Sequence, residues 1–220
     1  DAYICPTNFL KEKLIENGFD KDKIYNIPTF TNSINSTSDN VGNYGLYYGR
    51  ISPEKGVEYA IKAYEKLGDA YKLIITGDDT TEEAKRLKKY VKDKKLNNIK
   101  FTGFKKGKEL EKIIEESRFV VVPSIWYEIL PNTIIEAFSK KKPVIATDVG
   151  SLKDTIRDNE NGYKFELKNI DSLLEKIKKM DDKDNVRNMG ENAYNDVRTK
   201  YSIDSHYKNL LQIFNKIIKE

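Results

Sequence analysis

Two glutamates flank a predicted helix start, directly after an apolar stretch of the chain. The strand-like run FVVVP (119–123) leads into SIWYEILPNTIIEAF (124–138), in which seven residues separate Glu128 from Glu136. Pro131 is typical of the first turn of a helix, where unpaired N–H groups and the helix dipole attract phosphate. A carboxylate among the apolar neighbours of Glu136 requires a polar partner, such as a ribose diol. The spacing alone proves nothing, because glutamate pairs eight positions apart arise by chance. The order of strand end, glutamate, helix start and second glutamate favours a phosphate site, with a ribose diol as one candidate partner of Glu136.

A second candidate feature is basic. Gly49 and Arg50 close a predicted strand, and Lys55 lies in the loop that follows. Glycine lets a ligand approach the backbone closely, and an arginine fork and a lysine ammonium both bind diphosphate oxygens. The residues alone leave an alternative open, which is an ordinary solvated loop.

Several classes of site are excluded by residues that the sequence lacks. It contains neither the G-x-G-x-x-G fingerprint nor a Walker A loop, and one cysteine with one histidine cannot form a Cys/His zinc cage. The D-x-D triplets at 20–22 and 182–184 lie between helical segments, so we predict turns or helix caps there and no metal site. A net charge of +4 does not indicate a nucleic-acid partner, and no apolar run approaches the ~18 residues of a membrane span.

The elements that must position these residues alternate along the chain. Six runs rich in Val, Ile and Tyr are separated by helical segments, which is typical of right-handed crossovers in a parallel sheet. We predict an α/β fold with a doubly wound, Rossmann-like sheet, whose ligands bind outside the carboxyl ends of the strands. The predicted strands are 44–49, 71–76, 98–102, 118–123, 143–147 and 162–166. The predicted helices are 56–67, 81–95, 107–117, 131–142 and 151–157, followed by C-terminal helices near 169–180, 184–199 and 203–219.

The chain from about Tyr44 to Gly162 resembles the C-terminal domain of the family-4 glycosyltransferases, which have the GT-B fold. The matching pieces keep their order and spacing and include the glutamate pair. The others are GRISPEKG (49–56), TGD (76–78), FTGF (101–104), KPVIATDVGSLKDTI (142–156) and DNENGYKF (158–165). The resemblance implies transfer of a sugar from a nucleotide diphosphate, such as a UDP- or GDP-sugar, to an acceptor with retention at the anomeric carbon. It implies no separate cofactor.

The resemblance also implies roles for particular residues. Arg50 and Lys55, next to Gly49, match the basic pair on the donor diphosphate. Glu136 matches the glutamate on the nucleotide ribose, and Glu128 matches the one near the donor sugar. On this basis Glu128, Arg50 and Lys55 are the expected catalytic groups. The backbone near Phe104 matches the loop that contacts the base. The turn that holds phosphate and sugar hydroxyls corresponds to Ile129, Leu130, Asn132 and Thr133.

Two positions depart from the family pattern. Many members have Gly-Phe-Gly after the first glutamate, where this chain has Ile129-Leu130-Pro131, although others read Asn-Leu-Pro-Asn-Thr. A side chain at Ile129 could crowd the donor sugar where glycine would not. The usual small pair before Lys-Pro is Lys140-Lys141 here, which we expect to be a surface change.

The resemblance divides the chain into four parts. Residues 1–28 resemble the end of an N-terminal acceptor domain as a short βαβ fragment, and 29–43 are a polar linker. Residues 44–200 are the donor-binding domain, and 201–220 form a C-terminal helix. We expect the acceptor, a glycan or a lipid-linked sugar, to be held mainly by an N-terminal half that this chain lacks. The chain alone is then expected to bind the donor without transferring sugar.

The expected location is the cytoplasm. A basic run, KRLKKYVKDKK (85–95), has its buried face marked by Leu87 and Val91, so its lysines are expected to be a solvated face. An alternative is peripheral association with the inner face of the membrane, because basic clusters are attracted to anionic lipid.

Two other classes of function remain alternatives. The first is a non-catalytic module that binds a nucleotide sugar for sensing or regulation. The second is an epimerase or phosphorylase of related fold, although no pyridoxal lysine can be identified for a phosphorylase.

Overall fold

A computed structural model of the chain describes residues 2–31 and 39–218. The strands of this part form two separate parallel sheets, one with two strands and one with six. The strands are β1 Tyr3–Cys5, β2 Ile24–Asn26, β3 Tyr44–Tyr48, β4 Lys72–Thr76, β5 Ile99–Phe101, β6 Phe119–Val122, β7 Val144–Thr147 and β8 Gly162–Phe165. The helices are α1 Asn8–Glu16, α2 Val57–Leu67, α3 Glu82–Asp93, α4 Gly107–Glu115, α5 Asn132–Ser139, α6 Leu152–Thr155, α7 Ile170–Lys179, α8 Lys183–Lys200 and α9 Ile203–Ile217.

The large sheet is doubly wound, as predicted. Its strand order is β5-β4-β3-β6-β7-β8, and every neighbouring pair is parallel. The order reverses at β3, since the chain first adds β4 and β5 on one side and then β6 to β8 on the other. Such a reversal opens a crevice between the loops that leave adjacent strands.

Both faces of this sheet are covered by helices, so its strands are mostly apolar, although β4, β5 and β8 each contain one lysine. β6 and β7 are buried at every residue. Successive side chains point to opposite faces, so Tyr47 packs with α2, α3 and α7 while Leu46 and Tyr48 pack with α5. In β6, Val121 packs in the same core as Tyr47, and its neighbour Val122 packs in the core on the opposite face, with Leu46 and Tyr48.

The small unit at the start of the chain is β1-α1-β2, with Thr7 capping α1 through the Leu10 amide. The unit is tied to the C-terminal helix α9. His206 Nδ1 lies 2.8 Å from the carbonyl oxygen of Pro28, and its ring lies 4.8 Å from that of Phe30. His206 is therefore an interface residue.

The predicted linker leads into the large sheet at the amino ends of its strands. Residues 32–38 of it lie outside the described residues. Asp39 accepts a hydrogen bond from Lys141 at 2.7 Å, the Lys142 ammonium donates to the Asn40 carbonyl at 2.5 Å, and Arg118 donates to the Gly42 carbonyl at 2.9 Å. Three basic side chains thus hold the segment that precedes β3.

The expectation that Lys140-Lys141 is a surface change was wrong for Lys140. Its side chain is 3% exposed, and its ammonium lies 2.8 Å from Glu115 and 3.3 Å from Glu111 on α4. The helix predicted at 131–142 ends at Ser139, which turns Lys140 inwards between α5 and α4. Ion pairing makes the burial tolerable, and sequence pattern alone does not reveal a partner so far along the chain.

Both D-x-D triplets are capping features, as predicted. Asp20 accepts from the Asp22 amide, and Asp182 accepts from the amides of Asp184 and Asn185 at the start of α8. In the basic run, Leu87 is buried and Arg86 is paired with Glu58 and Glu83. Within the described residues no helix has the length and apolar character needed to cross a membrane.

The burial of Lys142 predicts that the free energy of unfolding depends on pH. The residue is 1% exposed, and burial lowers the pKa of its ammonium from 10.5 to about 8. The unfolded chain binds one more proton than the folded chain between these values, so folding becomes more favourable as pH rises through about 8. The free energy of unfolding, relative to the Lys142→Met variant, should increase by roughly 1–2 kcal/mol from pH 7.5 to 9.5.

Urea denaturation at the two pH values measures this effect. Lys141→Met is the matched control, because its ion pairs with Asp39 and Glu191 raise the pKa of Lys141, and it should leave the increase in place. Equal pH profiles for wild type and Lys142→Met would contradict the prediction.

Candidate functional site

Two clefts open at the carboxyl edge of the large sheet, one on each side of the end of β3. The β3–β6 cleft has a volume of about 260 Å³, and the β3–β4 cleft about 270 Å³. Tyr48, Gly49 and Arg50 line both, so the two clefts are adjacent and meet at the end of β3. The β3–β6 cleft is also lined by Tyr47, Lys55, Ser124, Glu128, Pro131 and Thr133. The β3–β4 cleft is also lined by Thr76, Gly77, Asp78, Phe104, Lys105 and Leu110.

The turn after β3 presents Arg50 to both clefts. Gly49 has a φ of 137°, which favours glycine, and its N–H donates to the Thr76 carbonyl at 3.0 Å. The Tyr47 hydroxyl donates to the Arg50 carbonyl at 2.5 Å and fixes the backbone. The Arg50 side chain remains 67% exposed, and its Nη2 lies 2.9 Å from Glu54 Oε1. A well-placed backbone therefore carries a guanidinium that a ligand can reach.

Lys55 ends a short 3-10 turn and reaches across to the loop after β6. Its ammonium lies 2.6 Å from Glu128 Oε1, and the Ser124 hydroxyl donates to the same oxygen at 2.6 Å. The Lys55 and Glu128 side chains are 24% and 16% exposed. Sequence reasoning placed both residues at the site, and the structure brings them together as an ion pair within one cleft.

The loop after β3 and the loop after β6 fit closely because of Gly56. Its φ of +65° suits glycine, and a Cβ there would lie 1.9 Å from the Pro123 carbonyl oxygen. The Ile125 N–H also donates to the Glu54 carbonyl at 2.9 Å. These backbone contacts set the distance over which Lys55 meets Glu128.

A third loop supports Glu128 from behind. The Ser151 hydroxyl donates to the Glu128 carbonyl at 2.6 Å. Tyr127 lies over Gly150, where an added Cβ would come within 3.1 Å of its ring, and its ring centroid lies 5.1 Å from that of Phe9 in the small unit. The loop after β6 is thus held by the loop after β7 and by the start of the chain.

The N-terminus of α5 faces the β3–β6 cleft. Pro131 is the N-cap and offers no side-chain hydrogen bond, so amides of the first turn are left for a ligand or solvent. These N–H groups and the positive end of the helix dipole favour an anion. Thr133 lines the cleft, whereas Asn132 and Ile129 are exposed and outside its lining, and Leu130 packs partly against the core.

Glu136 lies one turn further along α5 and is partly buried. Burial raises the pKa of its carboxyl above 4.5, and a hydrogen bond from Tyr48 acts in the opposite direction. The same Tyr48 hydroxyl lies 2.7 Å from the Thr133 carbonyl oxygen. The polar partner that sequence reasoning required for Glu136 is thus supplied in part by Tyr48, a residue it had not singled out.

Phe104 lines the β3–β4 cleft together with Arg50, whereas Lys55 and Glu128 line only the other cleft. Its ring is 68% exposed, and Lys105 and Asp78 line the same cleft. An exposed ring beside a basic and an acidic group could stack on a planar ligand and hydrogen-bond its edge.

Sequence reasoning missed Tyr47, Tyr48, Ser124 and Ser151. A local signal existed for the tyrosines, since they are the last two residues of the strand before Gly49. The seryl hydroxyls gave none, because each matters through a contact with Glu128.

Known proteins resemble this chain in sequence and in fold. The family model for glycosyl transferases, group 1, matches residues 31–196. An uncharacterised glycosyltransferase of Methanocaldococcus jannaschii is 30% identical over 204 residues, or 88% of this chain and 53% of the relative. A glycosyltransferase structure from Rickettsia africae aligns with a TM-score of 0.89 at 25% identity, covering 100% of this chain and 64% of its own. The structure of an S. aureus TarM variant bound to fondaparinux, alpha-GlcNAc-glycerol and UDP aligns with a TM-score of 0.83 at 27% identity. The alignment covers 97% of this chain and 44% of the TarM chain. The chain therefore spans about half the length of the M. jannaschii relative.

The packing of Gly56 yields a stability test. Gly56→Ala introduces both a left-handed alanine and a clash with the Pro123 carbonyl, and it should lower the free energy of unfolding by about 3 kcal/mol or more. Gly107→Ala is the control, because Gly107 also has a positive φ (+54°) but no atom within 4 Å of the added Cβ. It should cost about 1–2 kcal/mol. Denaturation curves measure both values, and equal losses would show that the Pro123 contact relaxes freely.

Proposed function

The chain belongs to the glycosyl transferases of group 1, and on that basis we propose that it binds a nucleotide-diphosphate sugar as the donor-binding half of a retaining glycosyltransferase. The observation that carries the proposal is the convergence of Arg50, Lys55 and the N-terminus of α5 on one cleft. Two cations and a set of free amides at a strand reversal form a site for a diphosphate.

The rest of the two clefts suits the other parts of such a donor. Glu136 binds the ribose hydroxyls, the nucleobase lies in the β3–β4 cleft against Phe104, and the sugar lies near Glu128. Support comes from the linings of the two adjacent clefts, since Glu128 lines the β3–β6 cleft and Phe104 lines the β3–β4 cleft. Glu136 is outside both linings and lies on α5, one turn beyond the Thr133 that lines the β3–β6 cleft. A UDP donor is favoured by the UDP bound in the TarM structure.

The proposed reaction breaks the bond between the anomeric carbon and the diphosphate oxygen, which leaves with the electron pair. The acceptor hydroxyl attacks the same face, and its proton passes to the departing phosphate. Arg50, Lys55 and the amides near Asn132 stabilise the charge that develops on this oxygen. One preorganised donor of this kind is typically worth ~10²–10³ in rate.

The protein itself supplies the positive charge at the diphosphate, so we propose that binding requires neither a metal nor another cofactor. In this proposal residues 1–28 end an acceptor domain, 29–43 are a linker, 44–200 bind the donor and 201–220 form the last helix. The length of the M. jannaschii relative supports a second half elsewhere in the protein. That half would hold most of the acceptor, a glycan or a lipid-linked sugar.

Peripheral contact with a membrane is a weaker proposal. The pairing of Lys85, Arg86, Lys88 and Lys94 with acidic neighbours favours a solvated face for the basic run of α3. A cytoplasmic location is proposed without a membrane role for this helix.

The direct test is a binding screen of uridine, guanosine and adenosine diphosphates and their glucose conjugates in excess EDTA. Trp126, the chain's one tryptophan, lies two residues from Glu128 and reports binding by fluorescence, with calorimetry as the second measurement. Binding by at least one pair is expected. Loss of binding in EDTA would contradict the metal-free site, and binding without transfer by the longer protein would favour a sensing module.

Removal of Arg50 should weaken the diphosphate contact. A charge-assisted hydrogen bond contributes ~1.5–3 kcal/mol, so Arg50→Ala should raise the Kd for the nucleotide diphosphate about tenfold or more. Arg187→Ala, an exposed arginine on α8 paired with Asp184, is the control and should leave the Kd unchanged. An unchanged Kd for Arg50→Ala by calorimetry would remove Arg50 from the site.

The two glutamates should differ in what they bind. Glu136→Gln should weaken even the bare nucleotide by about tenfold or more, since the ribose loses an ionised acceptor. Glu128→Gln should weaken only the sugar conjugate. Burial raises the pKa of the Glu136 carboxyl, so this carboxyl takes up a proton at a higher pH than usual. Wild-type affinity for the sugar conjugate should therefore fall as the pH decreases through the pKa of Glu136, and Glu136→Gln should abolish the decline. The opposite pattern in the two variants would show that their roles are exchanged.

A further inference from the structure

Both cations assigned to the diphosphate already have a carboxylate partner. Arg50 Nη2 lies 2.9 Å from Glu54 Oε1, and the Lys55 ammonium lies 2.6 Å from Glu128 Oε1. The four formal charges sum to zero. Glu128 lines the cleft, whereas Glu54 stands behind Arg50, outside the lining of both clefts.

Glu54 is a fixed charge. The Ser52 hydroxyl donates to its Oε1 at 2.7 Å, and its own carbonyl accepts from the Ile125 amide at 2.9 Å. Its position in the 3-10 turn Pro53–Lys55 keeps it four residues from Arg50. The Ser52 hydroxyl, the residue's own N–H and the Arg50 charge together hold the pKa of its carboxyl below the usual value, so it is ionised at neutral pH.

We propose that Glu54 is a counter-charge that limits how tightly the site retains the nucleotide diphosphate left after transfer. The inference rests on the proposed function. The free diphosphate carries about three negative charges at neutral pH and its sugar conjugate about two, because a terminal phosphate has a second pKa near 6. A negative charge beside Arg50 therefore opposes the product more than the donor.

The opposite role would be to hold Arg50 in its binding orientation. We favour the counter-charge role, because the Arg50 side chain remains 67% exposed while it is paired with Glu54, so the pair does not confine it. In this proposal the ligand competes with the Glu54 carboxylate for the Arg50 guanidinium. The two roles predict opposite signs for the same substitution.

The test is Glu54→Gln, which keeps the side-chain length and the acceptor for Ser52 while removing the charge. Calorimetry at about 50 mM salt, where charge effects are weakly screened, compares uridine, guanosine and adenosine diphosphates with their glucose conjugates. For the pair that binds, the variant should bind the diphosphate roughly 3–10-fold more tightly and the conjugate roughly 1–3-fold more tightly, in keeping with one charge acting through solvent.

Two controls separate this effect from a general change in net charge. Glu58→Gln removes the same charge from the next helix, where Glu58 pairs with Lys62 and Arg86, and should leave both affinities unchanged. In an Arg50→Gln background, the effect of Glu54→Gln should be smaller, because only the direct repulsion between Glu54 and the ligand remains and the competition for Arg50 is lost.

Three results would overturn the inference while leaving the proposed function intact. They are weaker binding by Glu54→Gln, equal tightening of both ligands, and a full effect in the Arg50→Gln background. Failure of the wild-type chain to bind any of these nucleotides would instead overturn the proposed function, and the inference with it.

Discussion

The contact between the loop after β3 and the loop after β6 is the constraint on which the site depends. β3 and β6 are neighbours because the strand order reverses at β3. Parallel neighbours deliver their following loops to the same edge, so two residues 73 positions apart, Lys55 and Glu128, form an ion pair. The fit of Gly56 against Pro123 and the bond from the Ile125 amide to Glu54 hold the backbones together beneath that pair. Loosening this contact would separate Arg50 and Lys55 from Glu128.

Charge neutrality follows from the same geometry. Two cations placed side by side would repel each other, and Lys55 is mostly buried, so each needs an anion when no ligand is bound. Glu54 and Glu128 meet that need. If the cleft binds a diphosphate, as proposed, one anionic partner replaces another and neither cation is left unpaired.

Much of the fold could be predicted, because parallel strands and amphipathic helices leave strong local patterns. The six strands of the large sheet and the helices between them lie close to their predicted positions, and Arg50, Lys55 and Glu128 share one cleft. Contacts across strands could not be predicted in the same way. The meeting of Tyr48 with Glu136, and the burial of Lys140 between α5 and α4, depend on which elements pack together. The local sequence pattern shows that a buried carboxylate needs a polar partner, but which residue is that partner depends on tertiary packing.

The amino and carboxyl edges of the large sheet make different contacts, and an aromatic pair joins the small unit to the carboxyl edge. At the amino edge, Arg118, Lys141 and Lys142 hold the segment 39–42 that leads into β3. At the carboxyl edge, the ring of Phe9 from the small unit lies 5.1 Å from the ring of Tyr127. Tyr127 precedes Glu128 and rests on Gly150, so a movement of the small unit reaches the loop that carries Glu128. The position of this carboxylate is thus coupled to the start of the chain, although its ion pair lies wholly within the large sheet's own loops.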